Sequence, residues 1–309
     1  MKTESRGKEP APNIGASVCT RLLNIARKDK RDYNALLLQF IQERFLYRLS
    51  VSPFSSQLIL KGALLLRVYP LPFARPTRDI DFLGSGIRNN LHSLSEAIRS
   101  IQRVICNDGV QFQPEKTSLE RIAELSKYAG VRVNIKSAVG GARVSLHIDI
   151  GFGDVVVPDA VEMDIPVLLD FPSPHLRVYP LESAVAEKFE SLVKLNLLTS
   201  RMKNIYDILF IASHHGFRLR TLRDAMTAAF SKRGTSLDAR RTIFDGSFAG
   251  NRQRQKQWSA LVKLQGGGTE PLLAEAVERL RRFIEPTFYV KRPESTWYPR
   301  TWRWLGNER

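Results

Sequence analysis

The sequence predicts an α/β (α+β) fold, a mixed-sheet core followed by a helical C-terminal lobe. Three observations carry this prediction. Apolar and polar residues alternate through Gly130–Ser137 and Ala142–Gly151, the two-residue period of a half-buried strand. From Leu181 onward the spacing changes to the three-and-four repeat of amphipathic helices. Finally, 309 residues with 43% hydrophobic and 25% charged content suffice for a sizeable core, split into two lobes. The expected division is a flexible tail over 1–13, N-terminal helices with an α/β core over 14–170, and a helical lobe over 171–309.

The elements follow in order. Ile14–Leu49 reads as helical through Leu22, Ile25, Leu36, Leu37, Phe40, Ile41 and Phe45, and Ser50–Pro53 breaks the pattern. Leu58-Ile59-Leu60 is a short apolar strand ending at Lys61-Gly62. Ala63–Tyr69 begins a helix, and Pro70–Pro76 is a loop. Thr77–Leu83 is a strand, and Asn89–Val104 an amphipathic helix. Gly140-Gly141 joins the two alternating runs and fits a hairpin turn. Val155–Asp164 is β-prone. Helices are expected over Leu181–Leu198, Arg201–His214, Leu219–Phe230, Gln253–Leu264 and Glu270–Ile284. Polar chain separates the third and fourth of these, and Gly266-Gly267-Gly268 follows the fourth.

Composition excludes several classes. No apolar run approaches the roughly 18–20 residues of a membrane span. Met1–Asn13 is polar and carries Pro10 and Pro12 rather than the apolar stretch of a secretory signal, which reads as a loose tail on a cytoplasmic protein. Cys19 and Cys106 stand far apart, outside any C-x-x-C pattern, and read as small buried residues. The net charge of +16 is unusual, and it is uneven. Gly216–Arg309 holds nineteen Lys/Arg against nine Asp/Glu. Such a surface attracts polyanions by steering and counterion release, which favours contact with nucleic acid over a merely solubilising charge.

The chemistry-bearing residues begin in RPTRDIDFLG, Arg75 to Gly84. Asp79 and Asp81 lie two apart within an apolar strand, so both project from one face with about 7 Å between their Cα atoms. Paired carboxylates of this kind suit Mg²⁺ or Mn²⁺ beside a substrate phosphate, not zinc. Asp149, between Ile148 and Ile150, supplies a third carboxylate that burial would penalise unless it were paired or metal-bound. Three carboxylates on adjacent strands suit two-metal phosphoryl or nucleotidyl transfer, with Asp149 as ligand or as base for the attacking hydroxyl. Lys61-Gly62-Ala63 before a helix allows backbone N–H groups to approach a phosphate, and Arg78 adds a cation beside the pair. In the helix Leu181, Val185, Lys188, Leu192, Leu195, a lysine occupies a place on the apolar stripe. It reads as an ammonium aimed at the triphosphate in preference to a snorkelling side chain, and Asp207 on the next helix could orient it.

These motifs resemble the AbiEii/MenT nucleotidyltransferase toxins of the DNA polymerase β-like nucleotidyltransferase superfamily. The resemblance rests on KGALLLRVYPLPFARPTRDIDFLG, HIDIGFGD, YPLESAVAEKFESLV and SRMKNIYDIL, in that order, and covers roughly residues 55–215. It implies a nucleotidyltransferase core and a metal-dependent enzyme that uses a nucleoside triphosphate, CTP or UTP favoured. It also implies the 3′ end of tRNA as acceptor, blocked translation as the outcome, and a cognate antitoxin. By this resemblance Asp79 and Asp81 are metal ligands, Asp149 the third carboxylate, Lys188 the phosphate-holding cation and Asp207 a further essential acid. Two departures stand out. Gly62-Ala63 replaces the usual Gly-Ser, and Lys203-Asn204 replaces Lys-Asp, leaving Arg201 and Lys203 freer to contact RNA phosphate.

Arg218, Arg220 and Arg223 are further candidate RNA contacts, or else a solvated helix face. The tail from Trp297 to Trp304 interleaves aromatic and basic residues, as a base-stacking platform would. The favoured reading is that its indoles dock on the helical lobe. His214-His215 before Gly216 reads as a helix C-terminus. Two rival functions remain: transfer to a small-molecule or protein hydroxyl, and a non-catalytic RNA-binding module.

Overall fold

In a computed structural model of the protein, residues 13–69, 77–122, 130–195, 202–264, 272–289 and 294–306 are described. The expected tail up to residue 12, the loop at 70–76, Arg201 and the glycine run at 266–268 lie outside them. Two helices, α1 (Ile14–Asp29) and α2 (Tyr33–Ser50), take the place of the single helical stretch expected at the N-terminus. Lys30 turns left-handed at φ 52° to end the first, and the Asp32 carboxylate accepts from the Ala35 N–H at 2.7 Å to start the second.

Next comes β1 (Leu58–Lys61), which passes through a 3₁₀ turn at Gly62–Leu64 into the single-turn α3 (Leu65–Val68). β2 (Asp79–Gly84) carries the paired aspartates, and α4 (Leu91–Gln102) starts at Asn90, whose side chain accepts from the Ser93 N–H. Then come β3 (Val110–Phe112), β4 (Ser118–Ile122), β5 (Gly130–Val139), β6 (Ala142–Phe152), β7 (Val161–Asp164) and β8 (His175–Val178). Gly140 and Gly141, at φ 53° and 87°, make the two-residue hairpin turn between β5 and β6.

These strands form one mixed sheet in the order β3-β5-β6-β2-β1-β8-β7, with β4 pairing on β5 beside β3. The β2–β6 and β1–β8 pairs are parallel, and the other pairs antiparallel. On one face Ile80, Phe82, Val131, Val133, Ile148 and Ile150 pack with the apolar sides of α1, α2 and α4 into the first core. The opposite face of the central strands carries Asp79, Asp81, Arg132, Asn134, His147 and Asp149. The alternation legible in the sequence is therefore the alternation between a core and a polar face.

The helical lobe comprises α5 (Leu181–Leu195), α6 (Met202–His214), α7 (Leu219–Arg233), α8 (Arg241–Phe244), α9 (Gly246–Gly250), α10 (Arg252–Leu264) and α11 (Leu273–Ile284). A hairpin of β9 (Thr296–Tyr298) and β10 (Arg303–Leu305) closes the chain. This lobe has its own apolar core, which takes in Leu66 from α3. The expected boundary at 170 falls too early, because β8 pairs with β1 and belongs to the sheet; the two cores meet at the start of α5. The polar chain between α7 and α10 also proves partly helical. Its turns bury Ile243, Phe244 and Phe248, each such side chain stabilising the lobe by about 1.5–3 kcal/mol. No helix among the described residues is long and apolar enough to cross a membrane.

Candidate active site

Strand register builds the acidic part of the site. Asp81 of β2 is the direct neighbour of Asp149 on β6, and Asp79 that of His147, so these side chains share one face. On the other side Asp81 pairs with Lys61, the last residue of β1. The next residue, Gly62, has φ 74°, and a Cβ there would sit 2.0 Å from Asp81 Oδ2. Only glycine provides both that backbone angle and the space for the carboxylate. Gly62 therefore makes room for Asp81, a role distinct from the phosphate-binding turn expected at Lys61-Gly62-Ala63.

Burial pushes the Asp81 carboxyl up to about 6. Lys61 and Lys188 oppose the shift, whereas Asp149 and Asp79 add to it, so all four charges are felt at this one group. A divalent cation at Asp79 and Asp81 would reverse that shift, and Mg²⁺ commonly binds one or two carboxylates together with substrate phosphates. The residues fit such an ion in that arrangement. A ready three-carboxylate cage is a different matter. Among the described residues no three His, Cys, Asp or Glu side chains come together as a metal-binding group. Arg132 donates to both oxygens of Asp149, from Nε at 2.8 Å and from Nη2 at 2.7 Å. Asp149, expected as ligand or base, is thus held by a guanidinium, and Arg132 stays well above its ordinary range through that contact.

The helical lobe contributes Lys188, on α5. The buried stripe of α5 runs through Leu181, Val185, Phe189 and Leu192, and Lys188 flanks it instead of interrupting it. Its ammonium lies 2.8 Å from Asp207 of α6, whose side chain is wholly buried. Asn204 donates its side-chain N–H to the Lys188 carbonyl at 3.1 Å, tying the two helices together beside the lysine. The asparagine that departs from the usual Lys-Asp motif therefore acts as a backbone clamp. Lys203 next to it is exposed.

Sequence reasoning missed three further features. Gln42 of α2 donates to the carbonyls of Thr77 and Arg78 at 3.3 and 3.1 Å, fixing the chain just ahead of Asp79; Arg78 itself is exposed. Arg132 was legible from the hairpin, because counting back equal numbers from a two-residue turn places it opposite Asp149. Lys61 is not an open phosphate contact. Its ammonium pairs with Asp154 at 2.6 Å and Glu187 at 3.0 Å, and those two acids outweigh the burial that disfavours its charge.

The remaining candidates separate cleanly. Arg218 and Arg220 are exposed, with Arg220 3.6 Å from Glu294, and Arg223 is half-buried. The tail indoles dock as favoured above. Trp297 is 1% exposed, and Trp297, Trp302 and Trp304 donate to the carbonyls of Ala212, Arg279 and Phe283. His214 ends α6, and the His215 ring lies edge-on to Tyr69 and Phe217.

Comparison with known proteins adds the decisive observation. The family profile for the nucleotidyl transferase AbiEii toxin, of a type IV toxin–antitoxin system, matches residues 44–286, most of the sheet and the helical lobe. The chain belongs to the AbiEii nucleotidyltransferase toxin family. This AbiEii-family chain is accordingly a transferase of a toxin–antitoxin system, with a nucleotide as substrate and an antitoxin as counterpart. Among curated proteins none matches. Two solved structures from Helicobacter pylori are similar. JHP933 is 16% identical, covering 76% of this chain and 99% of its own, with a TM-score of 0.41. A second structure, titled a putative nucleotidyltransferase, is 15% identical, covering 81% and 98%, also at 0.41. The terminal β9–β10 hairpin lies beyond the family match.

Proposed function

We propose that this AbiEii-family toxin transfers a nucleoside monophosphate from an NTP, CTP or UTP favoured, to the 3′ hydroxyl of tRNA. Pyrophosphate leaves and translation is blocked. The observation that carries this reading is the strand register that sets Asp79, Asp81 and Asp149 on one face of the sheet in a chain of the nucleotidyltransferase family.

Asp79 and Asp81 would hold Mg²⁺ or Mn²⁺, which supplies Lewis-acid polarisation of the transferred phosphate and activation of the attacking hydroxyl. Gly62 keeps the Asp81 carboxylate in place. Lys188 neutralises charge on the triphosphate, and Asp207 holds its ammonium in one orientation so that little reorganisation is needed during transfer. Asp149 aims the Arg132 guanidinium along the sheet face, where its remaining N–H groups can meet phosphate oxygens of either substrate. The acceptor reading draws on the excess of positive charge in the last third of the chain, where Arg218 and Arg220 are exposed, and on exposed Lys203 ahead of it.

The test is incubation of purified protein with total tRNA, Mg²⁺ and each α-³²P-labelled NTP separately, alongside Asp79→Ala. Label in tRNA from one or two NTPs, absent in the variant, is the expected result. Label that appears only on protein or on a small-molecule hydroxyl would overturn the acceptor. No transfer from any NTP, with tRNA still bound, would leave an RNA-binding module.

A further inference from the structure

We propose that a buried ionic cluster of Lys61, Asp154, Glu187, Glu190 and Arg233 sets the position of Lys188 relative to the Asp79/Asp81 pair, which makes Arg233 a positioning residue for transfer. The inference rests on the reading of Lys188 as the phosphate-holding cation. It names a device at the same site that the transfer chemistry itself does not require.

The cluster joins the end of β1, the chain just past β6, α5 and α7. Lys61 directly precedes Gly62, against which Asp81 packs. Asp154 lies five residues beyond Asp149, just past the end of β6. Glu187 directly precedes Lys188 on α5, and Glu190 lies on the next turn. Arg233 is the last residue of α7. Lys61 bonds Asp154 at 2.6 Å and Glu187 at 3.0 Å. The Arg233 guanidinium reaches Asp154 at 3.0 Å, Glu187 at 3.3 Å and Glu190 at 3.0 Å, and Thr235 donates to the second Glu190 oxygen.

Two cations thus share three carboxylates, and the side chains are between 0 and 23% exposed. Burial leaves these charges little solvent to turn to, so each geometry is fixed by the others. Lys61 links the sheet to α5, and Arg233 links both to α7, along the seam between the two apolar cores. A residue adjacent in a helix cannot shift without its neighbour, since consecutive Cα atoms are fixed at about 3.8 Å. Displacing Glu187 therefore displaces Lys188. Losing Arg233 leaves Lys61 alone to balance Asp154 and Glu187, and leaves Glu190 with the Thr235 hydroxyl but no cation, so the uncompensated negative charge pushes α5 away from the sheet.

The test is a double-mutant cycle on the full chain between Arg233 and Lys188, with labelled-NTP transfer rate and affinity for a non-reacting NTP analogue as the two readouts. Melting curves verify that each variant is folded. Arg233→Gln should lower transfer roughly ten- to a hundredfold at saturating NTP, as a small misplacement of a reacting group does. Arg233→Lys should recover part of that loss. In a Lys188→Gln background the further effect of Arg233→Gln should nearly vanish, because the group it positions is already gone. Equal fold-losses in the two backgrounds would overturn the inference, as would a loss that tracks only the unfolded fraction. If Arg233→Gln does not fold, Arg233→Lys enters the same cycle. Wild-type transfer by Lys188→Gln would instead show that the reading of Lys188 itself fails, and the inference would fall with it.

Discussion

On the sheet, three carboxylates stand in neighbouring register positions of β2 and β6, and burial holds the middle one, Asp81, up at about 6. On the helices, Lys188 meets Asp207 at 2.8 Å in a pair that already balances its charge. The first region holds a carboxyl whose charge burial disfavours, whereas the second balances its charges within the protein. The difference teaches that the two halves of one site should respond oppositely to neutralisation: stability and activity are in conflict on the sheet and in agreement on the helices.

The largest effect should come from Asp81→Asn. Transfer should be lost, yet the variant should melt above wild type at pH 7–8. A carboxyl with a folded pKa above its unfolded one destabilises the fold in its charged form, fully so above about pH 6. That penalty fades as pH falls through 6 toward 4. Removing it is worth up to about 3 kcal/mol, read as the gap between the two melting curves against pH. A lower melting temperature for Asp81→Asn at pH 8 would break the comparison.

Lys188→Met should lose transfer and stability together, by about 1.5–3 kcal/mol in denaturant titrations, because it removes the charge-assisted hydrogen bond to the wholly buried Asp207. Unchanged stability would break the comparison on the helix side. Gly62→Ala should come next. The left-handed backbone costs about 1–2 kcal/mol, and the added methyl must displace the Asp81 carboxylate, so activity should fall further than stability. Equal losses would assign Gly62 to the fold alone.

The smallest effect sharpens the sheet side. Transfer should fall as pH drops through about 6, because protonated Asp81 cannot ligate a cation, and added divalent ion should move that limb to lower pH. Arg132→Ala removes the cation that balances Asp149, so Asp81 should feel a fuller negative charge and the limb should move to higher pH. A limb that stays in place would uncouple Asp149 from Asp81.

Much of this was legible in the chain. The alternation of β5 and β6, the Gly-Gly turn and the D-x-D of β2 are local patterns with a fixed period, and the structure reproduces them. Asp207 beside Lys188 followed from two amphipathic helices in succession. The short strands β3 and β8, the helical turns at 237–250 and the terminal hairpin were not legible. Elements of three to five residues carry too few periods to stand out, and long-range pairing or burial decides them.

The sequence by itself determined which side chains could do chemistry and that the two aspartates of β2 share a face, because both follow from residue type and strand period. Only the tertiary structure decided their partners. It withdrew Lys61 into the cluster with Asp154, Glu187 and Arg233, and reserved for Asp81 the space that Gly62 leaves open. Lys61 lies 93 residues from Asp154 and 126 from Glu187. Over such separations a charge pairs with whatever the packing of the two cores brings to it, and nothing in the local period records that choice.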